Sequence, residues 1–175
     1  HPRDDGGAIQ DGNVSHKETA IIAVIINSTS LKLSAALSHS YVLAEDAHIQ
    51  KLNALKDVDL RDLRMSWAAQ QTDSDHAIEV RYAYNTHITG FNIVGGGDDG
   101  NSWSGHAVRF TDSLACSASR GTITNASVVT AGRGYGVSWY GSTRCWVDEV
   151  HVTGARHSYL WFNGASGCEA KNCIS

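Results

Sequence analysis

The feature that most constrains the fold of this chain is a spacing of apolar residues that recurs along it. In "CWVDEVHV" (145–152), Cys145, Val147, Val150 and Val152 are separated by two, three and two positions. A regular strand would keep a spacing of two throughout, and an amphipathic helix would show spacings of three and four. The pattern therefore predicts two short strands joined by a bend.

The same spacing occurs in five segments of the chain without gaps. The segments begin at Val58, Thr86, Cys116, Cys145 and Cys168. Two further positions, mostly apolar, lie eight and six residues before each start, such as Val137 and Trp139 before Cys145. Repeats of roughly 20–30 residues are typical of solenoids. The leucine-rich consensus and a 3.6-residue period are both absent, so we predict an all-β fold: a single-stranded right-handed parallel β-helix, a solenoid.

Stacking of the repeats predicts columns of equivalent residues about 4.8 Å apart. Cys116, Cys145 and Cys168 would form one interior column. We interpret these cysteines as buried free thiols that act as small apolar residues, with a disulfide along the column as the alternative. No CxxC pair is present, which disfavours zinc. A second column would contain aromatic rings, namely Phe110, Trp139 and Phe162.

Three regions are predicted along the chain. Residues 1–17 are polar and aperiodic and are interpreted as a loose lead-in, and residues 18–43 as a strand pair around "NSTS" that caps the fold. Residues 44–175 would hold the β-helix coils, continuing or assembling beyond 175 because an open end would expose apolar core. Apolar residues are 42% and charged residues 18% of the chain, which fits a globular domain. The net charge of −4 disfavours nucleic acid, and no apolar run predicts membrane insertion.

The connections between repeats vary in length and are the predicted location of function. They span 66–76, 94–106, 124–135 and 153–158, and stacking would place them on one face. The predicted catalytic residues are Asp98, Asp99, His106 and Arg133. The predicted substrate-binding residues are His76, Trp103, Tyr135, Arg156, His157 and Trp161. Carboxylates and histidine supply acid–base chemistry, aromatic rings stack on sugars, and arginine binds sugar carboxylates.

A glycine-rich segment, "GGGDDGN" (95–101), raises the question of a metal. Asp98, Asp99 and Asn101 are weak candidate calcium ligands, but the spacing and the terminal Glu of an EF-hand are missing. We therefore predict no cofactor, with calcium as the alternative. Trp161 has a second interpretation, as part of a contact between subunits.

The segment "GYGVSWYGSTRCWVDEVHVTGARHSYLWFNGASGCEAKNC" (134–173) resembles the parallel β-helix repeats of the pectate-lyase-like superfamily. Within it, this segment and "LKLSAALSHSY" (31–41) look most like bacteriophage tailspike and tail-fibre proteins. The resemblance covers about residues 40–175 and implies a polysaccharide-facing role, a homotrimer, and an extracellular or virion location. It transfers no catalytic residue, because the calcium and arginine motifs of pectate lyases and the paired aspartates of polygalacturonases are not matched.

Three functions follow as hypotheses. The first is a tailspike-like protein that binds a bacterial surface glycan and, if it is an enzyme, cleaves it as a polysaccharide lyase or glycoside hydrolase. The second is a non-enzymatic structural or adhesion solenoid of a virion or cell envelope. The third is a calcium-dependent uronate lyase or epimerase.

Overall fold

The structure is a computed structural model that describes residues 19–37, 52–66, 76–95, 105–126 and 134–175. These residues form thirteen strands and no helix. In chain order the strands are β1 (Ile22–Asn27), β2 (Ser30–Leu33), β3 (Leu55–Lys56), β4 (Asp59–Ser66), β5 (Ile78–Arg81), β6 (Ala83–Tyr84), β7 (His87–Val94), β8 (His106–Thr111), β9 (Ser117–Thr124), β10 (Tyr135–Tyr140), β11 (Trp146–Thr153), β12 (His157–Phe162) and β13 (Glu169–Lys171).

Two parallel sheets contain most of the strands. One has the order β12-β10-β8-β5 and the other the order β13-β11-β9-β7-β4. From β7 onwards, consecutive strands alternate between these two sheets. A short parallel pair, β3 with β6, and an antiparallel hairpin, β1 with β2, complete the described part of the fold. The all-β character expected from the sequence is thus present in these residues.

The prediction of one single-stranded right-handed parallel β-helix is wrong. The described strands form four separate sheets rather than one solenoid, and one of these sheets is antiparallel. The physical reason lies in the bends between strands. Residues such as Tyr82 (φ 49°) and Asp112 (φ 47°) adopt left-handed backbone conformations directly after a strand. Such residues turn the chain out of the plane of the sheet, so each strand ladder stays confined to its own sheet.

The register expected from the repeat is confirmed by the pairing of β7, β9 and β11. Val147 pairs with Ala118, and Ala118 pairs with Ile88. The three-residue step of the opening pattern contains a left-handed residue in each of these strands. At that point β11 has Glu149 (φ 53°) and β9 has Arg120 (φ 51°). The unusual apolar spacing therefore encodes a bend within a strand.

The register predicted for the last repeat is wrong by one residue. Trp139 pairs with Trp161 rather than with Phe162, which pairs with Tyr140 instead. The following turn is one residue longer than its equivalent in the preceding repeat, and Asn163 (φ 44°) is left-handed within it. A slip of one residue exchanges the two faces of a strand, so Trp161 takes the place on the face where Phe162 was expected.

The predicted columns are present with this change of partner, but their last members are not buried: Cys168 is a half-buried free thiol, and Trp161 keeps 47% of its accessible surface. Phe110 and Trp139 are fully buried and stacked, with ring centroids 6.4 Å apart. Trp161 stacks on Trp139 at 4.8 Å. Cys116 and Cys145 are fully buried free thiols, as predicted, and the Cys116 amide donates a hydrogen bond to the Cys145 sulfur at 3.4 Å.

The predicted strand pair near the N-terminus is present as β1 and β2. Its apolar side chains are exposed, and Ile25 retains 74% of its accessible surface. The Thr19 amide donates a hydrogen bond to the Thr143 hydroxyl at 2.9 Å, which links the segment before the hairpin to the turn between β10 and β11. The predicted lead-in, residues 1–17, lies outside the described residues.

Candidate functional site

The described ends of the predicted functional connections lie in rows along the sheets. The last residues of β4, β7 and β9 are paired side by side, Ser66 with Val94 and Val94 with Thr124. At the start of the next strands, Tyr135 pairs with both His106 and His157. Three long connections therefore begin at one row of strand ends and finish at another.

The returning row is a ladder of four rings, which we call the ring ladder and define as His76, His106, Tyr135 and His157. The ring centroids of His76 and His106 are 5.1 Å apart, and those of His106 and Tyr135 are 4.8 Å apart. Tyr135 is stacked on His157 at 5.4 Å. All four residues were predicted from the sequence as candidate site residues, and the structure places their rings in one column.

Two arginines contact the ring ladder at different levels. The Arg156 guanidinium donates a hydrogen bond to the Tyr135 hydroxyl at 3.1 Å, and its central carbon lies 5.8 Å from the ring centroid. Arg109 lies 3.0 Å from Nε2 of His76 and also stacks over the Tyr140 ring at 4.4 Å. Aromatic rings attract guanidinium groups placed over their faces, so both arginines are held in defined positions.

The centre of the ring ladder is dry and neutral. His106 and Tyr135 keep only 8% and 4% of their accessible surface, and the Phe162 ring lies 6.2 Å and 6.3 Å from theirs. Burial, followed by the positive charges of His76 and Arg109, lowers the pKa of His106 to about 3. His106 is therefore uncharged at neutral pH and suits a hydrogen-bonding role better than that of a proton donor.

Solvent reaches the ring ladder at one end. Arg156 and His157 are exposed, His76 is half-buried, and the Arg156 amide donates a hydrogen bond to the Gly134 carbonyl at 2.9 Å. The buried rings thus form a rigid support for an exposed guanidinium and an exposed imidazole. A ligand in solution would meet these two groups.

The structure brings together only part of the set of residues predicted from the sequence. His76, His106, Tyr135, Arg156 and His157 lie in one cluster. Trp161 lies at the opposite end of β12, where its indole nitrogen donates a hydrogen bond to the Cys168 carbonyl at 3.1 Å. The remaining predicted residues, Asp98, Asp99, Asn101, Trp103 and Arg133, lie outside the described residues.

In the part of the chain that the structure describes, no group of three or more His, Cys, Asp or Glu side chains is arranged to hold a metal ion. The weak calcium candidates Asp98, Asp99 and Asn101 are outside that part. The described site is therefore one of aromatic rings and guanidinium groups.

A second polar feature lies on the bend of the five-stranded sheet and was missed by the sequence reasoning. We call it the corner slot and define it as Asp62, Arg64, Gly90, Asn92 and Arg120. Asp62, Gly90 and Arg120 occupy equivalent left-handed positions in β4, β7 and β9. The sequence signal for this feature was a charged residue at the bend of β4 and of β9, with a glycine at the equivalent position of the intervening strand β7.

A comparison with protein-family models found no family that matches this chain, and a comparison with curated proteins found no significantly similar sequence. Across the residues that the structure describes, no helix has the length and apolar character needed to cross a membrane.

Proposed function

We propose that this protein binds a bacterial surface polysaccharide along the edge where the connections meet. The observation that carries the proposal is the exposed Arg156, held in place by its hydrogen bond to the buried Tyr135 and adjacent to exposed His157. A fixed guanidinium beside an imidazole offers several hydrogen-bond donors to the hydroxyl and carboxylate groups of a glycan.

The arrangement of the strands supports a polymeric ligand. Parallel neighbours repeat at about 4.8 Å, so the strand ends present a regular series of attachment points for the connections. Loops on a rigid scaffold commonly carry binding residues. The connections that begin and end in these rows carry Asp98, Asp99, Trp103 and Arg133, which would add carboxylates, a stacking ring and a second guanidinium on the same side.

Cleavage of the bound glycan is a separate step in this proposal. It would require Asp98, Asp99 or Arg133 to reach the ligand beside the ring ladder, where neutral His106 would orient other groups. A tailspike-like homotrimer on a virion or in the extracellular space is the setting that the sequence resemblance implies. A structural or adhesion protein is the second candidate, and the exposed apolar side chains of β1 favour it.

Binding can be tested with a panel of capsular and O-antigen polysaccharides, with tryptophan fluorescence as the readout. We expect at least one polysaccharide to bind, and Arg156→Ala and His157→Ala to weaken its affinity about tenfold or more, since each removes donors to the ligand. Arg61→Ala is the matched control, because Arg61 is 71% exposed and pairs only with Asp59 at the surface in the described part of the chain.

Failure of every polysaccharide on the panel to bind would favour the structural protein. Equal affinity of Arg156→Ala and the unchanged protein would place the binding site elsewhere. Release of reducing or unsaturated sugar ends would show cleavage, and its loss in chelator would support the calcium-dependent lyase or epimerase.

A further inference from the structure

We propose that the corner slot binds an acidic sugar through its carboxylate and a neighbouring hydroxyl group. The slot lies on the bend of β4, β7 and β9, within the five-stranded sheet, whereas Arg156 and the ring ladder line the strands of the other large sheet. It is therefore a second binding place and does not depend on the proposed role of Arg156.

The absence of one side chain opens the slot. Gly90 lies between Asp62 and Arg120 with a φ of +69°. A Cβ atom at Gly90 would lie 2.7 Å from Oδ1 of Asp62, closer than real Cβ atoms approach. Glycine therefore keeps the space beside the Asp62 carboxylate free, within an open surface depression of about 250 Å³ that has charged side chains on both sides.

The charged side chains around the slot have no ion-pair or hydrogen-bond partner among the residues that the structure describes. Asp62, Arg64 and Arg120 are exposed, and none forms an ion pair or hydrogen bond with another described residue. Some other exposed charges are paired at the surface, as in Lys171 with Glu169 at 2.6 Å. Two guanidinium groups and one carboxylate thus remain available to a ligand at the same bend.

A neutral donor completes the slot. The Thr122 hydroxyl donates a hydrogen bond to Oδ1 of Asn92 at 2.9 Å. This contact assigns the amide orientation and leaves the Asn92 nitrogen as a donor beside the slot. The depression therefore offers several donors and one strong acceptor.

The charge pattern identifies the class of ligand. Arg64 and Arg120 would bind a carboxylate by charge-assisted hydrogen bonds, whereas Asp62 would repel it and instead accept a hydrogen bond from a hydroxyl group. A matching ligand must carry a carboxylate and a hydroxyl group close together on one small molecule, and a uronic acid does so. A phosphate dianion carries twice the charge of a uronate and would be repelled more strongly by Asp62, and a neutral sugar has no carboxylate for the two guanidinium groups.

The test uses the full chain and free monosaccharides, observed by NMR titration. We expect glucuronate or galacturonate to bind in preference to glucose and inorganic phosphate, and to shift resonances of residues near Gly90. Arg120→Asn removes the guanidinium but keeps a residue that tolerates the left-handed backbone, so the fold should be retained. The affinity of the Arg120→Asn variant for the uronate should fall about tenfold or more.

One control and one readout separate this inference from the proposed function. Arg61→Ala removes a guanidinium from the same strand as Asp62 and should leave uronate binding unchanged. Binding is scored on the resonances near Gly90, which report the corner slot rather than the ring ladder. Absence of uronate binding, equal binding of glucose, or unchanged affinity in Arg120→Asn would each overturn the inference. Polysaccharide binding through Arg156 would survive all three results.

Discussion

Replacement of Gly121 by alanine tests the most crowded contact between neighbouring strands. Gly121 pairs with Phe91 on one side and with Val150 on the other. The three atoms nearest to an added Cβ all belong to the Phe91 ring, and all are closer than real Cβ atoms approach. Gly121 does not have a left-handed backbone, so the ring contact, rather than the backbone conformation, requires glycine here.

Two opposing terms set the expected size of the effect. Alanine in place of glycine lowers the entropy of the unfolded chain and would by itself stabilise a strand by about 0.5–1 kcal/mol. Overpacking a filled core typically costs about 1–3 kcal/mol. Phe91 is 3% exposed and contacts neighbours in the core, so its ring has little room to move. We therefore expect Gly121→Ala to lower the free energy of unfolding by about 1–2 kcal/mol.

The assay is urea denaturation of the single and double variants, with unfolding monitored by circular dichroism. Phe91→Leu alone should destabilise by leaving a cavity, and Gly121→Ala should then be tolerated because the added methyl group fills part of that space. The double-mutant cycle should give a favourable coupling energy of about 1–2 kcal/mol. Additive effects of the two substitutions would refute direct packing of Phe91 against Gly121.

A control substitution separates crowding from backbone strain. Gly167 has a φ of +59°, and an added Cβ would lie at an ordinary 3.5 Å from Cγ of Arg144. Gly167→Ala should destabilise through its backbone conformation alone, by about 1–2 kcal/mol. Phe91→Leu should not change that cost.

Three further outcomes are expected. The lowered pKa of His106 keeps its imidazole neutral in the folded protein, whereas in the unfolded chain it takes up a proton below pH 6.5. The free energy of unfolding should therefore decrease as the pH is lowered from 6.5 to 3. Thermal melts should show a smaller decrease in His106→Phe. Hydrogen-bonded contact with Cys116 and Cys168, together with burial, raises the pKa of Cys145, so this thiol contributes stability that is lost as the pH rises above about 9. The alkaline loss of stability should be smaller in Cys145→Ala, and an equal loss in that variant would contradict this. Glu149→Asn should stabilise by about 0.5–1 kcal/mol in urea denaturation, because asparagine tolerates the left-handed bend better.

The repeat register could be read from the sequence because burial imposes it. Val147, Val150 and Val152 are fully buried, and a shift by one residue would expose all three. The pattern of apolar residues therefore specifies which residues are paired. It does not specify how the ladders divide into sheets, because that depends on left-handed bends at residues such as Tyr82 and Arg144, whose side chains do not reveal this conformation.

The corner slot escaped sequence reasoning for a related reason. Asp62 and Arg120 appeared as exposed charges on separate strands, and surface charges are usually solvated or weakly paired. Their significance depends on the space left by Gly90 and on the lack of partners within the described protein. Neither property follows from the residue types alone.

The register slip in β12 connects the fold to the candidate site. Had Phe162 paired with Trp139, its ring would have entered the interior column and the ring ladder would have lost a covering group. Because Phe162 pairs with Tyr140 instead, its ring lies against His106 and Tyr135. The burial that makes His106 neutral, and that fixes Tyr135 as the support of Arg156, thus depends on one additional residue in the turn after β12. The insertion that displaced the predicted register therefore also shapes the surface proposed to bind the glycan.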